Sequence, residues 1–86
     1  MDKSVHSPEY QCFLRALRRA REAAGLTQFQ VAERMSEPQS WVSRVESGET
    51  RMHVIEFRAY CRAIGIDPAK FVAELEGELQ QPSTSI

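Results

Sequence analysis

The stretch Gly25 to Glu49, GLTQFQVAERMSEPQSWVSRVESGE, constrains the fold more than any other part of this chain. It divides into two short amphipathic patterns, residues 27–35 and 38–47, joined by a tight break at Ser36, Glu37 and Pro38. Thr27 offers a capping hydroxyl to the first of these helices, and Val31, Ala32 and Met35 make its core face, with the small Ala32 on the buried side. Pro38 cannot continue that helix but suits the first residue of the next. In the second pattern Val42 and Val45 point inward, and Gly48 ends the helix. The polar residues Ser40, Ser43, Arg44 and Ser47 fall on the opposite side, with Gln39 at the N-terminal edge.

The rest of the chain is helical by the same criteria. Ser7, Pro8 and Glu9 form a helix start: a capping hydroxyl, a proline in the first turn and an acid near the positive end of the helix. Tyr10, Phe13, Leu14, Leu17, Ala20 and Ala24 then recur at helical spacing, and Gly25 stops the helix as a left-handed cap with Leu26 folding back. After an extended linker from Glu49 to Met52, a fourth helix starting near His53 is expected to bury Val54, Phe57, Tyr60, Cys61 and Ile64, and to stop at Gly65. Asp67 and Pro68 open a fifth, whose stripe is Phe71, Val72, Leu75 and Leu79. No segment alternates with period two. The expectation is an all-α domain of five helices over residues 8–79, with a disordered arm (1–7) and a disordered tail (80–86).

Eighty-six residues leave room for one core. No run of about 18 apolar residues marks a membrane span, and the first dozen residues have no apolar signal core, so a soluble cytoplasmic protein is expected. Cys12 and Cys61 fall inside helical patterns and are expected to be buried, reduced thiols. His6, Cys12, His53 and Cys61 lack the paired close spacing of zinc modules, so no metal or other cofactor is expected. Nothing resembles a nucleophile–base set or a phosphate loop, which argues against an enzyme. The net charge of −1 hides an asymmetry: residues 11–62 carry nine arginines against six glutamates, whereas residues 63–86 carry one lysine against four acids. Local potential rather than the total governs attraction to phosphate.

The chemistry of the two-helix unit points to double-stranded DNA. A short polar helix presented on a second helix has the shape that enters the major groove. Gln39, Ser40, Ser43 and Arg44 carry donors and acceptors that suit base edges, and arginine can grip guanine bidentately. Thr27 and Gln28 lie at a helix N-terminus, where free N–H groups and the positive dipole end favour phosphate. Arg51, in the linker, is placed to reach a flanking phosphate. Trp41 sits at the margin between the buried and groove sides, with packing or a DNA contact both open to it, and Ser47, at the end of the polar face, is a further possible DNA contact.

Residues 17–66 resemble the helix-turn-helix family of phage Cro and lambda-type repressors, the XRE-type regulators. The matching segments are Leu17–Arg21, Gly25–Leu26–Thr27–Gln28, Val31–Ala32–Glu33, Gln39–Ser40, Val42–Ser43–Arg44, Val45–Glu46, Gly48–Glu49 and Ala63–Ile64–Gly65–Ile66. The resemblance implies that Gln28 binds phosphate, that the first turns of the third helix read bases, and that Arg21 pairs with Glu46 as a structural ion pair. It also implies a homodimer on a palindromic operator and a regulator, most simply a repressor. The same fold serves a protein-interaction module, such as an antitoxin or a transcription adaptor, and that alternative stays open. In two places the chain departs from the family pattern. Ser36 replaces the usual turn glycine, and Pro38 the usual capping serine, so Ser36 or Glu37 is expected to cap the third helix. His53 stands where a serine or aspartate cap is common.

Overall fold

The computed structural model describes residues 7–80, so the arm expected at 1–7 and the tail expected at 80–86 lie outside the described residues except for Ser7 and Gln80. Five helices follow one another: α1 (Pro8–Ala23), α2 (Gln28–Met35), α3 (Gln39–Ser47), α4 (Val54–Ile64) and α5 (Pro68–Gln80). Ser7 is the N-cap of α1, its hydroxyl accepting from the Tyr10 amide at 3.0 Å. Gln80 likewise ends α5 rather than beginning a tail. Among the described residues no helix is long and apolar enough to cross a membrane.

Each helix ends where its sequence supplies a reason. Thr27 and Gln30 form a reciprocal capping box at the start of α2: the Gln30 amide donates to Thr27 Oγ1 at 3.1 Å, and the Thr27 amide donates to Gln30 Oε1 at 2.9 Å. Gly25 and Gly65 adopt φ of 76° and 83°, letting Leu26 and Ile66 turn back to bond the carbonyls of Arg21 and Cys61. Asp67 Oδ1 accepts from the Ala69 amide at 3.0 Å and opens α5. The exposed carbonyl of Ala63, in the last turn of α4, is bound by the Arg34 guanidinium at 2.8 Å, which ties the end of α2 to the end of α4.

The turn between α2 and α3 differs from expectation. Pro38 is the N-cap of α3, not its first residue, and no side chain caps that helix. Ser36 and Glu37 are still occupied in closing α2: Ser36 takes the left-handed conformation (φ 57°), and the Glu37 amide reaches back to Ala32 O at 2.9 Å. One residue is left to enter α3, and its pyrrolidine ring carries no acceptor. The Trp41 amide is satisfied by the Pro38 carbonyl at 3.0 Å instead.

The core gathers Leu14, Ala16 and Leu17 of α1, Val31 and Ala32 of α2, Val42 of α3, Phe57, Tyr60, Cys61 and Ile64 of α4, and Phe71 of α5. Phe13 lies within 5.7 Å of Phe57 and 6.1 Å of Phe71, with Phe57 and Phe71 edge-on at 5.3 Å, so one aromatic cluster locks α1, α4 and α5 together. Three expected core positions, Val54, Val72 and Ala24, are exposed. Val54 is 71% exposed, because helical spacing places it below Phe57 but nothing packs over the first turn of α4, and Ile55 beside it is exposed as well. Val72 is 48% exposed, and Ala24, the C-cap of α1, is exposed where the chain turns away. Met35 is half-buried and packs against the core. Cys61 is buried, and burial pushes its thiol up to about 11. Cys12 is only half-buried, and its Sγ lies 3.5 Å from Glu78 Oε1. Glu78 also receives Arg19 at 2.9 Å, an exposed pair between α1 and α5.

Ser36 is the one non-glycine residue with positive φ among those described. A β-carbon there costs about 1–2 kcal/mol in the folded state, and glycine returns about 0.5–1 kcal/mol of that through its freer unfolded chain. Ser36→Gly should therefore stabilise the domain by about 0.5 kcal/mol, read as a higher urea midpoint at unchanged slope.

Candidate nucleic-acid interface

The polar residues of the two-helix unit are organised around one buried carboxylate. Glu46, in the last turn of α3, is 2% exposed, an expensive place for a charge unless every lone pair is answered. Arg21 of α1 donates from Nε to Glu46 Oε2 at 2.8 Å and from Nη2 to Oε1 at 3.1 Å, the expected ion pair in bidentate form. The Tyr60 hydroxyl of α4 donates to Oε2 at 2.5 Å. Gln28 of α2 donates from Nε2 to Oε1 at 3.0 Å. Four helices thus converge on one side chain. Burial raises the proton affinity of Glu46, but donation from Arg21, Tyr60 and Gln28 outweighs it and holds the carboxyl below its ordinary value. Burial, followed by the bond to Glu46, pushes the Tyr60 phenol upward. Arg21 also donates from Nη1 to Leu26 O at 2.8 Å, so it braces the loop into α2 as well.

The cluster does not end in the core. Gln28, half-buried, turns its Oε1 outward and accepts from Gln39 Nε2 at 3.1 Å. Gln39 is the first residue of α3 and is exposed. The expected phosphate-binding and base-reading glutamines are therefore bonded to one another, and through Glu46 to the centre of the domain. Gln28 keeps one N–H of its amide beyond the bond to Glu46.

The remaining expected site residues fall into two groups. Ser40 and Arg44 are exposed along α3 and Ser43 is half-buried beside them, one polar face continuous with Gln39. Arg51 is exposed in the linker after α3. Thr27, Ser47, Trp41 and His53 also have tasks in the fold. The Thr27 hydroxyl caps α2, and the Ser47 hydroxyl donates to Arg44 O at 3.1 Å while accepting from the Glu49 amide at 3.4 Å, closing the end of α3. Trp41 is half-buried and packs against the core. His53 is the N-cap of α4, its amide donating to Glu56 Oε1 at 3.1 Å.

Sequence reasoning missed one residue of this cluster and one bond within it. Tyr60 was visible only as an apolar position, although a buried phenol needs a hydrogen-bond partner and could have been sought near Glu46. The Gln28–Gln39 bond joins residues that no helical wheel brings together. Phe29, 63% exposed beside Gln28, carries no polar signal and was also passed over.

Residues 13–73 match the family model described as a helix-turn-helix domain. Among solved structures, an XRE-family like protein from Pseudomonas syringae pv. tomato str. DC3000 is similar, with 46% sequence identity, a TM-score of 0.82, and coverage of 88% of this chain and 93% of that one. No curated protein matches the chain.

Two outcomes follow from the buried cluster. Arg21→Met strands the Glu46 charge and should cost about 3–5 kcal/mol of stability, whereas Arg21→Met with Glu46→Leu should cost much less than the two single changes added; chemical denaturation of the four proteins measures this. Because the folded value of Glu46 is depressed, its contribution is complete above the ordinary value of 4.5 and is lost as pH falls through the lower folded value. The acid limb of thermal stability should therefore be less steep in Glu46→Leu than in the parent.

Proposed function

Since the chain belongs to the XRE-type, lambda-repressor-like family of helix-turn-helix DNA-binding domains, we propose that it is a sequence-specific transcriptional regulator, acting as a repressor, that inserts α3 into the major groove as a homodimer on a palindromic operator. The observation that carries this reading is the polar face of α3, with Gln39 held by Gln28 at its leading end. In the proposed complex Gln39, Ser40, Ser43 and Arg44 meet base edges. A glutamine amide matches adenine N6 and N7 bidentately, and an arginine matches guanine O6 and N7. Gln28, with its spare N–H, and Arg51 bind phosphates on either side, fixing the register of α3. Thr27 and Ser47 shape the helix ends that approach the backbone, and Trp41 supports α3 from beneath.

One domain of this size spans a single half-site, and two copies give the specificity an operator needs. On α5, Val72 is exposed beside the half-buried Leu75 and Leu79, which makes this helix the surface proposed to meet the second copy. A repressor of this kind blocks a promoter by occupancy alone and works where the DNA is, in the cytoplasm.

Selection from a random duplex pool should return a palindrome with half-sites about one helical turn apart. On that site Arg44→Ala should cost about 1–3 kcal/mol and relax preference at one base pair, whereas Arg51→Ala should weaken all sequences alike and lower the salt slope by about one. Mobility shifts over a range of salt measure both. Absence of any salt-sensitive binding would transfer the assignment to a protein-interaction module.

A further inference from the structure

The bonds from the core to Gln39 have a direction, and the direction is forced. An ionised carboxylate only accepts hydrogen bonds. Glu46 is ionised, as its two bonds to Arg21 and those from Tyr60 and Gln28 require. Gln28 must then face Glu46 with its NH2, so its carbonyl oxygen faces outward. Gln39 must in turn face Gln28 with its NH2. What Gln39 has left for the groove is one N–H and its Oε1, a donor and an acceptor side by side. That pair matches adenine, which offers an N7 acceptor and an N6–H donor, and mismatches guanine, whose O6 and N7 both accept.

We propose that Glu46, a buried residue with no path to the groove, sets the base preference of Gln39 by fixing the orientation of two successive amides, and so acts as a positioning residue for recognition of adenine. The inference rests on the reading of α3 as the DNA-contacting helix. It also specifies which changes reverse the preference. In Glu46→Gln the oxygen stays toward Arg21 Nε and Tyr60, because on the other side Gln28 can turn to accept; the new NH2 then faces Gln28 and leaves Arg21 Nη2 without its acceptor. Gln28 then turns its oxygen inward, Gln39 does the same, and Gln39 presents only N–H groups to the groove. A face with donors alone suits guanine. Gln28→Leu removes the link altogether, leaving the Gln39 amide able to rotate and take either orientation.

The test begins with the parent protein and a random duplex pool. The base pair read by Gln39 is identified as the one whose preference disappears in Gln39→Ala. Adenine is expected there. Binding of Glu46→Gln and Gln28→Leu is then measured by fluorescence anisotropy on the selected duplex and on a duplex with guanine in place of that adenine, with folding of each variant checked by circular dichroism. The adenine-to-guanine ratio should fall about tenfold or more in both variants, and should invert in Glu46→Gln, while preferences elsewhere in the site stay unchanged. If Glu46→Gln does not fold, Gln28→Leu alone decides. Folded variants that keep the parent ratio, or that lose affinity equally for every sequence as a scaffold or phosphate defect would, overturn the inference. So does a preference other than adenine at the Gln39 base pair. Failure of the parent to select any site would instead refute the DNA reading on which the inference stands.

Discussion

A single carboxylate, Glu46, holds the two-helix unit to the rest of the domain. A buried charge is tolerable only when fully answered, and here the answers come from α1, α2 and α4 while the charge itself sits on α3. The hydrophobic core would bring these helices together without it, but apolar contacts are non-directional and tolerate small shifts. The four donors do not tolerate shifts of that kind. They set the position of α3 relative to its supports to within hydrogen-bond distances, and the cost of desolvating the charge is exchanged for that definition. Among described residues no buried side-chain polar atom lacks a partner, so this polar cluster is complete.

The apolar half of the domain does different work. The Phe13, Phe57 and Phe71 cluster joins α1, α4 and α5, and the Arg19–Glu78 pair adds an exposed tie between α1 and α5. An exposed pair contributes little to stability, so the aromatic rings carry most of that junction. The helix-turn-helix unit is then braced from both directions: by charge through Arg21 and Tyr60, and by the Arg34 contact to the end of α4.

Much of this was legible in the chain itself because its punctuation is explicit. Ser7, Thr27, Gly25, Gly65 and Asp67 each mark a helix boundary by a local rule, and each rule operates within five residues. The Arg21–Glu46 pair was legible through family resemblance. The failures have a common cause. Whether Val54 is covered depends on where the core stops, which periodicity does not encode. Which residue caps α3 depends on Ser36 and Glu37 being already engaged with α2. The Gln28–Gln39 and Tyr60–Glu46 bonds join residues on different helices, and their existence follows from packing rather than from spacing. The missing part of the site was therefore the polar connection, not the polar face.

The tethering of Gln39 separates it from its neighbours in one further respect. Ser40, Ser43 and Arg44 take no part in the chain of bonds that leads to Glu46, so each can be exchanged without disturbing the interior. Gln39 belongs to a linked set with Gln28, Glu46, Arg21 and Tyr60, and a new residue there meets partners already committed to a donor–acceptor pattern. Divergence of target sequence among descendants of this protein should accordingly proceed through the three untethered positions, with the leading glutamine held nearly constant. The fold thereby divides its reading helix into a conservative end and an adaptable one.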